Sequence, residues 1–372
     1  MKAIGIILAG GNNNRMKERT AKRAVPALPV AGSFRSIDFA LSSMSNSHIQ
    51  TVAVLTQYNA RSLNEHLSSS KWWNFGRKQG GLFLFTPTVT ADNSDWYRGT
   101  ADAMYQNIDF LKRRHEPYVI ISSGDCVYKL DFNRVLDFHI EKKSDITVVC
   151  KDMMYNDDVS RFGVVRMDDE SRITEFDEKP IEALSNTIST GIYVIRRRQL
   201  IELLEAAAEE NRFDFVNDIL VRYKNVKKIY GYKINSYWNN IADIDAYFKT
   251  NMDFLRPDVR SYFFREEPTI CSKVDDLPPA KFNPGSDISN SLVSSGCIIN
   301  GSVEDSVLFK QVFVGKNTTV KNCVILNDVY IGDNVHLENC IVESRGTINP
   351  NTCYCGEDGV MIVKEKNVRY VI

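Results

Sequence analysis

Residue types that can hold a phosphate occur near the start of this sequence. The stretch IILAGGNNNRM, residues 6–16, passes from an apolar run into Gly10 and Gly11 and then reaches Arg15. The backbone N–H groups of a glycine turn and a guanidinium at a helix start can both contact phosphate. The three asparagines tolerate left-handed backbone angles, but their side chains occupy space that a phosphate would need. The turn is neither a dinucleotide-binding G-x-G-x-x-G nor a P-loop, and a solvated surface role for Arg15 is the alternative.

Charged residues also follow two of the strands that we predict. Asp125 comes just after the apolar run that ends at Ser122. A carboxylate there suits magnesium bound to the phosphates of a nucleotide, and a turn or helix-capping aspartate is the alternative. Glu178 and Lys179 precede Pro180. They could meet the hydroxyls and the phosphate of a sugar phosphate, or they could form an exposed charged loop.

Aromatic residues near these positions offer faces for a sugar ring. Tyr193 and the pair Tyr237-Trp238 are the candidates. Aromatic side chains belong to the core more often than to a ligand site, so they carry little weight alone.

The elements that would position these residues alternate between strand and helix over residues 1–256. Amphipathic stretches such as 100–113 and 198–210 separate short apolar runs rich in branched residues, which lie at 3–8, 51–56, 118–122, 146–150 and 192–195. This alternation predicts an α/β domain with a mostly parallel, Rossmann-like sheet and a site at the strand ends.

The pattern changes after Pro257. We predict a proline-rich linker over 257–285 and a second domain over 286–372. There the stretch that begins at Val314 is repeated from Ile331, in a spacing close to three hexapeptides. Such a repeat predicts a left-handed parallel β-helix. It could mediate oligomer contacts, or it could only cover an end of the first domain.

Composition excludes several classes of function. The formal net charge of −1 gives no electrostatic reason to expect nucleic acid or an anionic membrane as a partner. The sequence has neither a signal-peptide pattern nor a long apolar run, so we expect a cytoplasmic protein. Cys353 and Cys355 form a lone C-x-C without a second pair at zinc-like spacing, and the five histidines show no metal-ligand spacing either. Buried or incidental thiols are therefore the favoured interpretation of these two cysteines.

The ordered motifs resemble one family over nearly the whole chain, the bacterial glucose-1-phosphate adenylyltransferases of glycogen synthesis. The motifs are LAGG from Leu8, FRSIDFALS from Phe34, VLTQYNARSLNEHL from Val54, WYRGTADAMYQN from Trp96, SGDCVYKLD from Ser123, FDEKP from Phe176, STGIYV from Ser189, NMDFL from Asn251, LPPAKF from Leu277 and NSLVSSGCIINGSVEDSVLF from Asn290. The resemblance implies that ATP and glucose 1-phosphate give ADP-glucose and pyrophosphate. A sugar phosphate oxygen would attack the α-phosphorus with Mg²⁺ as cofactor.

The resemblance also implies a role for each matching position. Nucleotide contacts are expected from Leu8, Gly10, Gly11, Gln57, Gly99, Thr100 and Asp102. Glucose 1-phosphate contacts are expected from Glu178, Lys179, Ser189, Gly191, Tyr193, Asp214, Phe215 and Trp238. Lys22, Arg23 and Arg35 match positions that bind sugar-bisphosphate activators in the family, with solvated charge as the alternative.

The phosphate motifs depart from the family at three positions. Asn13 replaces the third glycine of G-G-x-G-x-R, although Arg15 is kept; Val25 replaces the lysine of A-K-P-A-V; and Asn240 replaces the second metal-binding aspartate of YW-[KR]-D-V-G-T. Losing one preorganised charge typically costs about 10² to 10³ in rate. Asp125 alone would hold magnesium weakly, because Asn240 supplies no negative charge.

Three functions are compatible with this pattern. The positions expected to contact phosphate have changed, whereas those expected to contact the sugar are kept, and this pattern resembles that of the GlgD-type subunit. The resemblance predicts a regulatory or weakly catalytic chain in a mixed tetramer with a catalytic homologue. The first alternative is an active adenylyltransferase in which Lys17, Lys22 or Arg23 replaces the missing lysine. The second is a sensor that binds sugar phosphate and regulates another protein.

Overall fold

The computed structural model describes residues 3–11, 23–76, 80–88, 96–154 and 158–364. The chain divides into two compact units, each made of separate stretches of sequence. Unit 1 comprises Met1–Asn12, Ala40–Gly124 and Tyr128–Trp238, and unit 2 comprises Asn13–Phe39, Asp125–Val127 and Asn239–Ile372. The domain boundaries at residues 256 and 285 stay a prediction.

Strands and helices alternate through the first 264 residues. The strands are β1 Ala3–Leu8, β2 Pro29–Val30, β3 Phe34–Arg35, β4 Thr51–Leu55, β5 Gly81–Phe85, β6 Tyr118–Ser123, β7 Cys126–Tyr128, β8 Ile146–Asp152, β9 Gly163–Met167, β10 Ile173–Glu178, β11 Thr187–Arg196, β12 Ile229–Lys233 and β13 Trp238–Asn240. The helices are α1 Ser36–Asn46, α2 Arg61–Leu67, α3 Thr100–Tyr105, α4 Ile108–Lys112, α5 Phe132–Glu141, α6 Arg197–Glu209, α7 Ile244–Asp253 and α8 Pro257–Phe264. Short 3-10 helices cover Val25–Ala27 and Ser70–Trp73, and a π-helical turn covers Val216–Val221.

A mixed nine-stranded sheet in the described part of the chain forms the centre of unit 1. Its main path runs β10-β9-β11-β6-β1-β4-β5, and β8 pairs with both β11 and β12. β1 pairs in parallel with β4 and β6, and β4 with β5. β11 runs antiparallel to β6 and β8. The predicted α/β fold is therefore confirmed, and the antiparallel half of the sheet adds to its parallel core.

The amphipathic stretch 100–113 forms two helices rather than one. α3 ends at Tyr105 and α4 begins at Ile108. The side chain of Asn107 donates to the carbonyl of Ala103 at 2.9 Å. In a continuous helix the backbone N–H of Asn107 would donate to that same carbonyl, so the side chain replaces the helical hydrogen bond and interrupts the helix.

Parallel strands build the predicted β-helix in unit 2. They are β14 Lys281–Phe282, β15 Asp287–Ser289, β16 Leu292–Val293, β17 Ile298–Ile299, β18 Ser302–Glu304, β19 Val307–Leu308, β20 Phe313–Val314, β21 Thr319–Lys321, β22 Val324–Ile325, β23 Tyr330–Ile331, β24 His336–Glu338, β25 Cys340–Val342, β26 Thr347–Ile348, β27 Cys353–Cys355 and β28 Met361–Val363. They form three five-stranded parallel sheets, one for each side of the coil. β14 falls inside the segment predicted as linker.

Asparagines at the corners hold the coils in register. Asn322 and Asn339 lie 17 residues apart, and the side chain of the first donates to that of the second. Both have positive φ, +48° and +51°, which asparagine tolerates better than most residues. The coil interior is apolar, with Val320, Ile325 and Leu337 fully buried. The repeat in the sequence therefore equals one coil, and each coil buries the apolar row of the next.

Helices α7 and α8 of unit 2 hold the segment that carries Val25 and Arg35. Asn251 accepts a hydrogen bond from the backbone of Ala31 at 3.0 Å, and Tyr247 donates to the carbonyl of Pro29 at 2.6 Å. The rings of Phe34 and Phe264 stack with centroids 4.5 Å apart. In the described part of the chain, every helix falls short of the length and apolar character needed to cross a bilayer.

Candidate functional site

Glu178 and Lys179 lie at the end of β10 and form an ion pair. Lys179 Nζ is 2.9 Å from Glu178 Oε1, and the lysine side chain is 59% exposed against 16% for the glutamate. Lys179 has φ +51°, and its N–H donates to the carbonyl of Phe162 at 3.1 Å. This unusual backbone is fixed by its neighbours, so the carboxylate and the ammonium are presented together rather than as a loose loop.

Two residues that the sequence analysis missed shape this end of the sheet. Gly163 pairs with Glu178 across β9 and β10. A Cβ at Gly163 would lie 3.0 Å from Glu178 Oε2 and 2.8 Å from the Phe176 ring, so only glycine fits. Phe162 packs edge-on against Trp238, with ring centroids 5.6 Å apart. The signal available in the sequence was a glycine within a strand, which often marks a close approach.

Ser189, Gly191 and Tyr193 lie together on β11, where its pairing with β8 is irregular. The Ser189 hydroxyl donates to the Tyr193 hydroxyl at 3.3 Å and accepts from the N–H of Gly191 at 3.4 Å. Gly191 has φ +74°, a conformation that favours glycine. The bulge therefore turns the strand where two hydroxyls and a backbone amide meet.

Two acidic residues lie close enough to the buried Tyr193 hydroxyl to affect its pKa. Burial, followed by the charges of Glu178 and Asp214, raises the pKa of Tyr193, so the phenol stays protonated at neutral pH. Its ring packs on Phe215 at a centroid distance of 5.3 Å. The structure thus brings Glu178, Tyr193, Asp214 and Phe215 together within unit 1.

Thr100 connects α3 to the segment that carries Asp214. Its hydroxyl donates to Asp214 Oδ2 at 3.4 Å and accepts from the N–H of Phe215 at 2.8 Å. A Cβ on Gly99 would collide with the backbone carbonyl of Phe213, so glycine permits this approach. Thr100 therefore positions Asp214 and Phe215 of the predicted sugar site, and its nucleotide contact stays a prediction.

Trp238 has a buried side-chain polar atom, the indole nitrogen, without a hydrogen-bond partner among the described residues. It is the one predicted site residue in the described part of the chain for which this holds. The residue is 3% exposed, and no hydrogen-bond acceptor for its indole N–H lies among the described residues. An unpaired buried donor costs about 1–3 kcal/mol. This cost is recovered when a ligand or a water accepts from the indole.

The predicted nucleotide residues of unit 1 meet at the ends of β1 and β4. A Cβ on Gly10 would lie 3.3 Å from Gln57 Cβ, which is close packing, whereas Gly11 is exposed and open on that side. Gln57 Oε1 accepts from the N–H of Tyr97 at 2.8 Å. Leu8 is half-buried at the end of β1. The strand ends thus bring Leu8, Gly10 and Gln57 together, as parallel strands of one sheet would.

Asp102 is buried, and its carboxylate accepts hydrogen bonds from neighbouring protein groups. Its carboxylate accepts from the backbone of Arg98 at 2.9 Å, from the Arg98 guanidinium at 2.9 Å and from Gln106 at 2.9 Å. Its side chain is 2% exposed. These three hydrogen bonds tie the loop at Arg98 to helix α3, and the nucleotide contact expected of Asp102 stays a prediction.

Unit 2 places Asp125 and Asn240 side by side. The N–H of Ile241 donates to the carbonyl of Asp125 at 3.0 Å. Asn240 Oδ1 accepts from the N–H of Ala242 at 2.8 Å, and its amide donates to Cys126 Sγ at 3.4 Å. Both ends of the asparagine side chain therefore have protein partners.

The remaining predicted residues divide between described and undescribed positions. Val25 is 3% exposed, in the first position of its 3-10 helix. Arg23 and Arg35 are half-buried, and the N–H of Arg35 donates to Asp38 at 2.8 Å. Asn13, Arg15, Lys17 and Lys22 lie outside the described residues.

Comparison with known proteins matches both parts of the chain. A family model described as nucleotidyl transferase covers residues 4–256, and one described as GlmU-like C-terminal hexapeptide covers 278–362. A glucose-1-phosphate adenylyltransferase from Geobacillus stearothermophilus is 39% identical, over 97% of this chain and 94% of the relative. The enzyme of that name from Clostridium novyi (strain NT) is 38% identical, over 85% and 84%. That from Bacillus subtilis (strain 168) is 36% identical, over 86% and 84%.

Proposed function

Because this chain belongs to the glucose-1-phosphate adenylyltransferase family, we propose that it acts in the transfer of an adenylyl group from ATP to glucose 1-phosphate. We propose further that it does so as a regulatory or weakly catalytic subunit, joined to a catalytic homologue in a mixed tetramer. In that reaction a phosphate oxygen of the sugar attacks the α-phosphorus of ATP, and pyrophosphate leaves. The protein positions the substrates and neutralises charge.

The observation that carries this proposal is that the residues at positions 25 and 240 are uncharged and held by the protein. Val25 is apolar and buried where relatives of this type are expected to carry a lysine. Asn240 stands where a metal-binding aspartate is expected, and both its polar atoms are engaged with Ala242 and Cys126. Neither side chain supplies charge to a departing pyrophosphate, so slow chemistry is expected.

The donor atoms of unit 2 do not fit a magnesium ion held by two carboxylates. Asp125 accepts a weak hydrogen bond from Cys126 Sγ at 3.5 Å, and the oxygen of Asn240 already accepts from Ala242. Magnesium demands several hard oxygen ligands and prefers carboxylates. Asp125 is the single carboxylate of the pair, which supports weak binding of the cation.

The predicted sugar site supports retained binding of glucose 1-phosphate. Lys179 Nζ offers a cation for the phosphate. The Glu178 carboxylate, the Ser189 hydroxyl and the Trp238 indole offer partners for sugar hydroxyls. A subunit that binds this substrate but turns it over slowly can still influence a catalytic neighbour through the assembly.

The second candidate is an active adenylyltransferase. The names of the relatives favour it, since the three reported above are all called glucose-1-phosphate adenylyltransferase. In that case another cation would replace the missing lysine, and Arg23, which is half-buried close to Val25 in sequence, is the described candidate.

Assay of pyrophosphate release separates the two. The chain alone, with ATP, magnesium and glucose 1-phosphate, is expected to turn over at least ~10²-fold more slowly than a homologue that keeps the lysine and the second aspartate. Co-expression with such a homologue is expected to give a stable complex with altered kinetics. Turnover at the homologue's rate would establish the active enzyme. Binding of glucose 1-phosphate without a complex would instead favour a sensor.

Repair of the phosphate positions gives a second test. Val25→Lys with Asn240→Asp, and then with Asn13→Gly, is expected to raise turnover if decay is confined to these positions. Val25→Met with Asn240→Asp is the matched control, because it lengthens the side chain without adding charge. An equal gain in the control would contradict the role assigned to the lysine charge.

A further inference from the structure

The β-helix brings four metal-ligating side chains onto one outer face. Strands β24 and β27 pair in parallel, with His336 opposite Cys353 and Glu338 opposite Cys355. Between them, Leu337 is fully buried, and Tyr354 packs against the apolar core of the coil. Because side chains alternate along a strand, the residues on either side of Leu337 and Tyr354 point outward. Neighbouring strands lie about 4.8 Å apart, so the four form a compact patch.

The separations within this patch suit a single small cation. One ligand atom from each of His336, Glu338 and Cys355 lies within 4.8 Å of the others. His336 Nε2 is 3.6 Å from Glu338 Oε2, and Cys353 Sγ is 3.6 Å from Cys355 Sγ. Ligands in a tetrahedron around zinc lie about 3.3–3.8 Å apart, given bonds of about 2.0–2.3 Å.

We propose that His336, Glu338, Cys353 and Cys355 form a binding site for a divalent cation of the zinc class. Two sulfur donors and an imidazole favour zinc over magnesium or calcium, which take oxygen ligands. Each cysteine binds as a thiolate, so its proton passes to solvent when the metal–sulfur bond forms. Cys353 is exposed with its Sγ 3.6 Å from that of Cys355, and we expect its side chain to turn towards the other three when a metal binds.

The nearest basic side chain on the adjacent strand does not occupy the patch. Lys321 lies opposite Glu338 across β21 and β24. Its Nζ is 3.7 Å from Glu304 Oε2, on the strand at its other side. Thr319, opposite His336, is neutral. Neither of these two residues of β21 therefore places a positive charge between the acid and the imidazole.

A metal here would join two successive coils. β24 and β27 come from coils 17 residues apart, the spacing that also separates Asn334 from Asn351 at the corner. A cation that binds the folded state and not the unfolded chain stabilises the fold by mass action. The bound metal would therefore cross-link two coils near the end of the β-helix and stabilise the fold. This role does not depend on the proposed function.

Sequence spacing alone conceals this site. Cys353-x-Cys355 is a lone pair, and His336 precedes it by one full coil of the repeat. The two halves meet only because the coils stack in register. Cys353 is exposed, so of the two interpretations given above, buried or incidental thiols, burial does not hold for it.

Cobalt titration of the full chain tests the site. The chain is stripped of metal with a chelator and kept under reductant, so that a disulfide cannot form. We expect one equivalent of Co²⁺ to give thiolate-to-cobalt absorption and the d–d bands of a tetrahedral complex, and Zn²⁺ to displace it. Cys271→Ser, which removes an exposed thiol elsewhere, is the matched control and is expected to behave as the parent chain.

Variants of the patch then define the outcome. The double variant Cys353→Ser, Cys355→Ser is expected to lose thiolate absorption and to bind Zn²⁺ at least ~100-fold more weakly, and His336→Gln at least ~10-fold. In thermal unfolding, Zn²⁺ is expected to raise the midpoint for the parent and for Cys271→Ser but not for the double variant. Binding or stabilisation of equal strength in the double variant would overturn the proposal, as would absence of binding by the parent.

Discussion

Asn240 donates its side-chain amide to the buried sulfur of Cys126 across 3.4 Å. Burial, and then the charge of Asp125, raises the pKa of Cys126 well above its usual value, so the group beside the asparagine is a neutral thiol. An aspartate at position 240 would lose this donor and would add a negative charge near Asp125. Asparagine at position 240 therefore stabilises the contact with Cys126 and Asp125 without a cation. Aspartate at this position would need a bound cation to offset its repulsion from Asp125.

Asn240→Asp tests this relationship through magnesium. Without metal the variant is expected to unfold with a free energy about 1–2 kcal/mol lower, because a hydrogen bond is lost and two carboxylates repel. Magnesium is expected to recover this loss in the variant and to leave the parent almost unchanged. Thermal unfolding with and without Mg²⁺ measures both effects.

Asn239→Asp serves as the control for this experiment. It adds the same charge one residue away, on the opposite side of β13, next to Asp253, to which Asn239 donates at 3.2 Å. Equal recovery by magnesium in both variants would show that the cation acts on charge in general rather than at position 240.

Trp238→Phe tests the unpaired indole of the predicted sugar site. Removing the N–H deletes a buried donor without a described partner, which offsets the volume that the smaller ring loses. The free energy of unfolding is therefore expected to change by less than about 1 kcal/mol. Affinity for glucose 1-phosphate is expected to fall about tenfold, the value of one hydrogen bond.

Isothermal titration with glucose 1-phosphate gives the affinity, and urea unfolding gives the stability. Trp72→Phe, outside the predicted site, is the control and should leave binding as it is. If Trp238→Phe binds as tightly as the parent, the indole N–H is not a ligand contact.

Much of this fold is predictable from sequence because its apolar periods are strong. The strand at Ala3–Leu8 is found with the predicted bounds, and the 17-residue repeat around Asn322 is one coil of the β-helix. The pairs that meet across strands are not predictable in this way. Gly163 next to Glu178, and His336 next to Cys353, depend on strand register, which no single segment encodes. The same limit explains the break at Asn107, where one side chain competes with the backbone.

His139 makes the stability of unit 1 depend on pH. The residue is 1% exposed, with Nδ1 2.8 Å from the hydroxyl of Thr147. Burial, and then the charge of Arg196, lowers its pKa from 6.5 to about 4. Between those values the unfolded chain binds more protons than the folded one, so stability falls as the pH drops and levels off below about pH 4. The full shift corresponds to about 3 kcal/mol.

His139→Gln isolates this contribution from that of the carboxylates. Glutamine is neutral throughout and can keep a hydrogen bond to Thr147, so the variant is expected to lose less stability than the parent between pH 6.5 and 4. Urea unfolding at several pH values gives the difference between the two slopes. Parallel pH profiles for parent and variant would contradict a depressed pKa at His139.

Asn334 contributes to the β-helix through both its backbone and its side chain. It has φ +57°, accepts from Asn317 at 3.2 Å and donates to Asn351 at 3.0 Å. Asn334→Gly removes the two side-chain hydrogen bonds, the asparagine ladder, but adopts the positive φ without strain. Asn334→Ala removes the same hydrogen bonds and also strains the backbone. We expect the alanine variant to be less stable than the glycine variant by about 1 kcal/mol, the cost of a left-handed angle for a residue with a Cβ. Glu357→Ala, at an exposed position of the same unit without a positive φ, should cost under about 0.5 kcal/mol. Urea unfolding followed by circular dichroism gives the stability of each variant. Equal stability of the alanine and glycine variants would mean that the side-chain hydrogen bonds, rather than the backbone angle, favour asparagine at position 334.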